Sequence, residues 1–237
     1  MNRVLVTAPI HNERGRIEDV LARVRDRLPG DCDVLFVDDA SSDGTAELLA
    51  QAGVAVVRHE CRQGCGPSVR TGLEEARRRG YEVVVVMAGN GKDDPALVGR
   101  LVEPILARGY DFVQGSRYLP GASHAHMPLH RKIGTRAYSL LFSLLSGKRI
   151  TDGTNGFRAL RTSLLDDTRI DLHQQWLTDY EVESYLFFKA IALGYKVGEV
   201  PVTKIYPRAG AYTKMRPFSG WWSHFRPALY LALRLRK

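Results

Sequence analysis

Acidic residues are missing from the end of this chain. From 200 to 237 there are eight Lys or Arg and no Asp or Glu, so the whole net charge of +8 lies in the tail. The first 199 residues balance at 26 basic and 26 acidic groups. A basic tail favours an anionic partner: a membrane surface, a phosphorylated substrate or nucleic acid. Cysteine is also scarce. Cys32, Cys61 and Cys65 are odd in number and irregular in spacing, which excludes a disulfide framework and favours a reducing compartment. His59, Cys61 and Cys65 are near one another, but no fourth ligand follows at useful spacing, so a structural role is expected. No apolar run reaches the roughly 18 residues of a membrane-spanning helix, and the N-terminus reads as a strand rather than a signal peptide. The expectation is a cytoplasmic protein. Internal repeats and low-complexity linkers are lacking too.

What is present is the composition of an ordinary globular protein, 44% hydrophobic and 25% charged over 237 residues, which suits one α/β domain with a sizeable core. Apolar strands are expected over 4–8, 33–37, 54–58, 83–87 and 111–114. Helices with near 3.6-residue periodicity are expected over 12–27, 42–52, 67–79 and 95–108. The alternation predicts a Rossmann-like, doubly wound, mostly parallel sheet with ligands at the carboxyl ends of its strands. After Gly115 the rhythm changes. A loop rich in Gly, Pro and His precedes a helix over 129–145, a turn over 152–156, a helix over 177–193 and an extended strand over 196–205.

Two acid-bearing segments follow early strands: Asn12-Glu13, and Asp38-Asp39 leading into Ser42-Asp43-Gly44-Thr45. Asp43 reads best as a helix cap. The paired acids at the end of an apolar strand do not, because buried carboxylates without partners are costly. In a parallel sheet both segments reach one edge, where a carboxylate can accept from a base N–H or a ribose hydroxyl.

Taken in order, these segments resemble the family 2 glycosyltransferases of GT-A fold, especially the dolichyl- and polyprenyl-phosphate sugar synthases. Pro9 to Glu13 is similar to the family's Pro-x-x-Asn-Glu. Asp38 to Thr45 matches its Asp-Asp-x-Ser-x-Asp-Gly-Thr. Gly64-Cys65-Gly66-Pro67-Ser68 stands where the family has a Gly-rich turn. Gly115-Ser116-Arg117 matches its Gly-Ser-Arg, and Asp152 to Arg158 resembles its Asp-x-Thr-Ser-Gly-Phe-Arg. The resemblance implies inverting transfer of a sugar from a UDP- or GDP-linked donor. It places Pro9, Glu13, Asp38, Asp39, Gly66 and Asn90 in the nucleotide site, and turns Arg117 to the pyrophosphate as a catalytic residue.

The family's Asp-x-Asp metal motif, with a Gln two residues later, falls here on Ala88, Asn90 and Lys92. Two anionic ligands for Mg²⁺ or Mn²⁺ are replaced and a cation has entered. One reading is that Lys92 acts catalytically in place of the metal. Another is that Asp93 or Asp94 recruits a metal from a shifted position. Asp94, just before Pro95, reads more simply as a helix cap.

From 112 to 151 there are six basic residues and no acidic ones, and the apolar stretch 137–145 follows Arg131, Lys132 and Arg136. Cations beside an apolar helix suit a lipid phosphate. By the resemblance, Arg131 meets the acceptor phosphate, with Thr154, Arg208 and Lys214 also at the acceptor end. A phosphate acceptor needs no general base. For a hydroxyl acceptor Asp179 is the base candidate, sharing a helix face with Glu183. The chain therefore divides into a catalytic domain over 1–217 and an aromatic, basic segment over 218–237 that lies on a membrane or packs on its own domain. Pro227 is expected to prevent one unbroken helix there. The reading is an enzyme peripheral to the inner membrane face. A soluble-hydroxyl transferase and a non-catalytic nucleotide-sugar binder are the alternatives, and a homo-oligomer stays open. Nucleic acid explains the charge but not the paired acids, so it is not expected as a partner.

Overall fold

The computed structural model describes residues 3–206 and 219–236. Seven strands form one sheet in the order β3-β2-β1-β4-β6-β5-β7. They are β1 (Val4–Ile10), β2 (Cys32–Asp38), β3 (Ala55–Arg58), β4 (Val83–Val86), β5 (Phe112–Ser116), β6 (Arg158–Arg161) and β7 (Val197–Pro201). All neighbours pair in parallel except β6, which runs antiparallel to both β4 and β5. The carboxyl ends of β1, β2, β4 and β5 therefore share one edge, and the segments following them form its rim.

The strands alternate between two cores, as a two-residue side-chain period requires. Leu5, Leu35, Val84, Phe112 and Leu160 face one core, with α3 (Cys65–Arg78), α5 (Leu129–Ser146), α6 (Glu181–Ala192) and α7 (Ser219–Ala232). Val4, Val6, Phe36, Val83, Val85 and Ala159 face the other, with α1 (Arg14–Arg27), α2 (Thr45–Gln51) and α4 (Val98–Arg108). Helix α3 lies tightly on β1. A Cβ on Gly72 would stand 2.8 Å from the Cβ of Thr7 and 2.0 Å from its Oγ1.

Three elements differ from the sequence expectation. The last strand leaves the sheet after Pro201, so that Thr203 and Lys204 instead make single bridges to Ser123 and Asp93. Helix α6 begins at Glu181, because the chain before it turns over 174–177, closed by the Leu177 N–H on the Gln174 carbonyl, and bends at 178–179. Helix α7 runs through Pro227. The lost backbone bond, of about 3 kcal/mol, is offset by packing: Phe225 meets Tyr138 edge-on, Trp221 covers Gly134, and Ala228 is buried in the core. Arg226 adds bonds to the Glu181 carboxylate and the Trp176 carbonyl, both at 2.6 Å.

The α3–β1 contact yields a paired test. Gly72→Ala is expected to destabilise the protein by about 1–3 kcal/mol through overpacking. Gly15→Ala, whose new Cβ meets nothing within 4 Å in α1, is expected to be neutral or to stabilise by about 0.5–1 kcal/mol. Thermal melts of the two variants check this.

Candidate active site

The acids at the rim are largely engaged within the protein. Asp38 is fully buried. Its carboxylate accepts from the Ser41 N–H at 3.1 Å and from the Ser41 hydroxyl, and pairs with Arg58 at 3.3 Å. Asp39 accepts from the Gln63 and Gly64 N–H groups, each at 2.8 Å, and meets His59 Nδ1 at 2.9 Å. Burial raises its pKa, but these bonds outweigh burial and hold the carboxyl below its usual range. Asp38 shapes the turn after β2, and Asp39 ties that edge to the loop leading into α3. Asp43 accepts from the Thr45 N–H at 3.0 Å and from the Arg14 N–H at 3.0 Å, joining the starts of α1 and α2. Glu13 is buried at the same edge, with Arg16 at 3.1 Å, and Pro9 is half-buried in β1.

Gly66 also has a packing reason. A Cβ there would stand 2.3 Å from the Asp179 carbonyl oxygen, so only glycine lets α3 begin against the 178–179 turn. Asp179 lies before α6 rather than on it, and so shares no helix face with Glu183. Glu183 points inward to Arg158 at 3.6 Å. Burial, with Glu181 and Glu183 nearby, pushes the Asp179 carboxyl up to about 6.

After β4 the loop 88–94 closes on itself. Buried Asp93 accepts from the Ala88 N–H at 2.9 Å and pairs with Lys204 Nζ at 2.9 Å. The Lys204 ammonium also donates to Asn155 Oδ1 at 2.9 Å. Arg23 holds the loop from α1 through the Gly91 and Asp93 carbonyls, at 2.6 and 3.1 Å. The Lys92 N–H reaches Asn90 Oδ1 at 3.4 Å. Asp94 caps the short turn at Pro95–Leu97, accepting from the Ala96 N–H at 3.2 Å, and pairs with Arg27 at 2.9 Å. A divalent ion fits this loop poorly. Ala88 and Asn90 offer no carboxylate, while Asp93 and Asp94 already serve Lys204 and the helix start. Among the described residues no cluster of three or more His, Cys, Asp or Glu stands ready for a metal.

Cations gather beside this loop. Burial, then Lys204 and Arg131, bring the Lys92 ammonium down to about 8. Arg131, on α5, lies 5.8 Å over the Tyr206 ring. Arg117 is buried beneath. Its guanidinium grips Asp152 in a fork at 2.6 and 2.7 Å, and donates to the Thr154 hydroxyl at 2.6 Å and the Tyr206 hydroxyl at 2.7 Å. Only 2% of Arg117 is exposed, and its guanidinium serves an internal network. Thr154 belongs to the same internal network. Arg208 and Lys214 lie outside the described residues. Asp152, Lys204 and Tyr206 escaped the sequence reading as site residues. The Asp152-x-Thr154 pattern hinted at the first, and nothing local marked the others.

The Arg117–Asp152 pair sets a stability test. Arg117→Ala leaves a buried carboxylate unpaired and is expected to cost about 3–5 kcal/mol. Arg117→Lys restores little, because an ammonium cannot fork. Asp152→Asn in the Arg117→Ala background should recover part of the loss in a denaturant titration.

Residues 6–169 match the family model described as Glycosyl transferase family 2. The chain is 34% identical over 213 residues to the undecaprenyl-phosphate mannosyltransferase of Micrococcus luteus, covering 88% of this chain and 86% of that protein. It is 33% identical over 207 residues to the polyprenol monophosphomannose synthase of Mycolicibacterium smegmatis, covering 85% and 77%. A solved structure of glucosyl-3-phosphoglycerate synthase from Mycobacterium tuberculosis, with Mn²⁺, UDP and glucosyl-3-phosphoglycerate, superposes with a TM-score of 0.69 at 20% identity. That likeness covers 100% of this chain and 81% of the other, and carries the GT-A fold. With the family model spanning most of its length and two relatives above 30% identity, this chain belongs to glycosyl transferase family 2 and is a glycosyltransferase.

Proposed function

We propose that the enzyme transfers a sugar from a nucleotide-sugar to a polyprenyl phosphate at a membrane surface, with inversion. The names of the relatives point to this acceptor class. The observation in this chain that supports it most is the outer face of α5. Leu129, Ile133, Leu140 and Leu144 are 61–73% exposed. At about 100° per residue they fall within an arc of about 60°. Exposed Arg136 lies about 20° beyond one edge of that arc, and Arg131 points the other way, toward Tyr206. An apolar stripe with cations suits the surface of an anionic bilayer.

Beside the stripe is an open groove of about 660 Å³, lined by Tyr118, Arg136, Leu140, Leu144, Arg149 and Ile150. It suits part of an isoprenoid chain, with the phosphate end turned to Arg131. No helix among the described residues is long and apolar enough to cross a membrane, and the reading is peripheral attachment at the inner face. The donor lies along Pro9, Glu13 and the 88–92 loop. An acceptor phosphate oxygen attacks the anomeric carbon as the bond to the nucleoside diphosphate breaks. A phosphate is already anionic, so the step needs no general base, and Asp179 has no part in it.

The test is transfer of label from UDP- and GDP-sugars to undecaprenyl phosphate in anionic vesicles. A product extractable into organic solvent is expected. Equal transfer to a soluble alcohol, with none to the lipid, would overturn the reading. The double variant Leu140→Asp, Leu144→Asp removes two apolar side chains from the interface, each contributing about 1.5–3 kcal/mol when buried. It should lower vesicle flotation and lipid-directed transfer at least about tenfold. Arg131→Ala should raise the acceptor KM with a smaller effect on the donor KM.

A further inference from the structure

The loop after β4 lacks the carboxylates of a divalent site yet remains highly ordered by internal bonds. We infer that Lys92 and Lys204 form a fixed cationic seat that takes the place of a divalent metal against the diphosphate of the donor. The inference rests on reading this rim as a nucleotide-sugar site.

Three observations carry it. First, the acid nearest to a shifted metal position is already bound. Asp93 is 2% exposed and holds Lys204 Nζ and the Ala88 N–H, both at 2.9 Å. Drawing Asp93 onto a metal would leave Lys204, itself 8% exposed, as a buried cation without its carboxylate. Breaking a buried pair in this way is strongly unfavourable.

Second, the seat is built rigidly. The Ile205 N–H bonds the Lys92 carbonyl at 3.0 Å, and Asp93 bridges Lys204 in antiparallel fashion. Arg23 clamps the loop from the other side through two carbonyls. The seat therefore sits at a set place on the β4 end rather than on a mobile side-chain brush. Preorganised charge of this kind stabilises a developing anion without reorganising during the reaction.

Third, the sign of the charge matches the task. Lys92 stands among Lys204, Arg131 and Arg16, with Asp93 already held by Lys204. When the sugar's anomeric carbon leaves the diphosphate, the bonding electron pair stays on the diphosphate oxygen. The seat offsets that added charge, and no proton needs to move from any lysine.

The test is direct binding of UDP and GDP by calorimetry, in EDTA and in Mn²⁺ or Mg²⁺, for wild type, Lys92→Met and Lys92→Arg. Uridine and guanosine serve as controls without phosphates. Wild type is expected to bind its diphosphate equally well in EDTA, with affinity falling as salt rises. Lys92→Met should weaken diphosphate binding at least about tenfold and leave nucleoside binding within about twofold. Lys92→Arg should recover part of the loss. Ligand-free melting temperatures near wild type establish that the variants fold. Diphosphate binding that vanishes in EDTA and returns with Mn²⁺ overturns this inference but leaves the donor reading intact. So does a Lys92→Met variant that binds as tightly as wild type. Failure of every nucleoside diphosphate and nucleotide-sugar to bind, with or without metal, overturns the donor reading and this inference together.

Discussion

A buried arginine must find acceptors for nearly all its donors, and Arg117 finds them on Asp152, Thr154 and Tyr206. That one requirement joins the end of β5, the turn over 152–156 and the segment that leaves the sheet after β7. Asp152 also accepts from the Arg117 backbone N–H at 3.0 Å, so the turn is closed from both ends. Burial raises the carboxyl's pKa, yet Arg117 holds it below its usual range. Tyr206 then offers its ring to Arg131. The position of the cation proposed to meet the acceptor thus depends on a buried pair beneath it.

The same economy of buried charge runs along the rim. Asp38, Asp43 and Asp93 accept from backbone N–H groups of the turns they belong to, and Asp39 from those of the loop before α3. A carboxylate that accepts several such bonds fixes a loop more firmly than apolar contacts alone, because each bond is directional. The acids build the rim, and the cations Lys92 and Arg131 give it its character. A site of this sign suits phosphate groups.

Much of the fold was legible from local signals. The continuous valines of β4, the period of α1 and the Gly-rich entry to α3 each encode their element within a few residues. The cap readings of Asp43 and Asp94 were equally local, and the structure places both side chains on helix-start N–H groups. What local signals left out has a common origin. Arg117 looks like any loop cation until Asp152, 35 residues away, closes on it. Nothing local to Gly66 shows that the bend at 178–179 packs against it. Pro227 looks like a helix breaker until the aromatic contacts of α7 are counted.

By itself the sequence determined the alternation of strands and helices, the order of the family motifs and the replacement of Asp-x-Asp by Ala88 and Asn90. These follow from short-range periodicity and residue identity, which need no partner. Only the tertiary structure decided which charges face inward. Burial and pairing depend on residues brought together by the sheet order, as Lys204 is brought to Asp93 when the chain leaves β7 and crosses the β4 loop. A charged side chain carries no local mark of whether it will meet solvent, a ligand or another charge, because that is set by what folds over it.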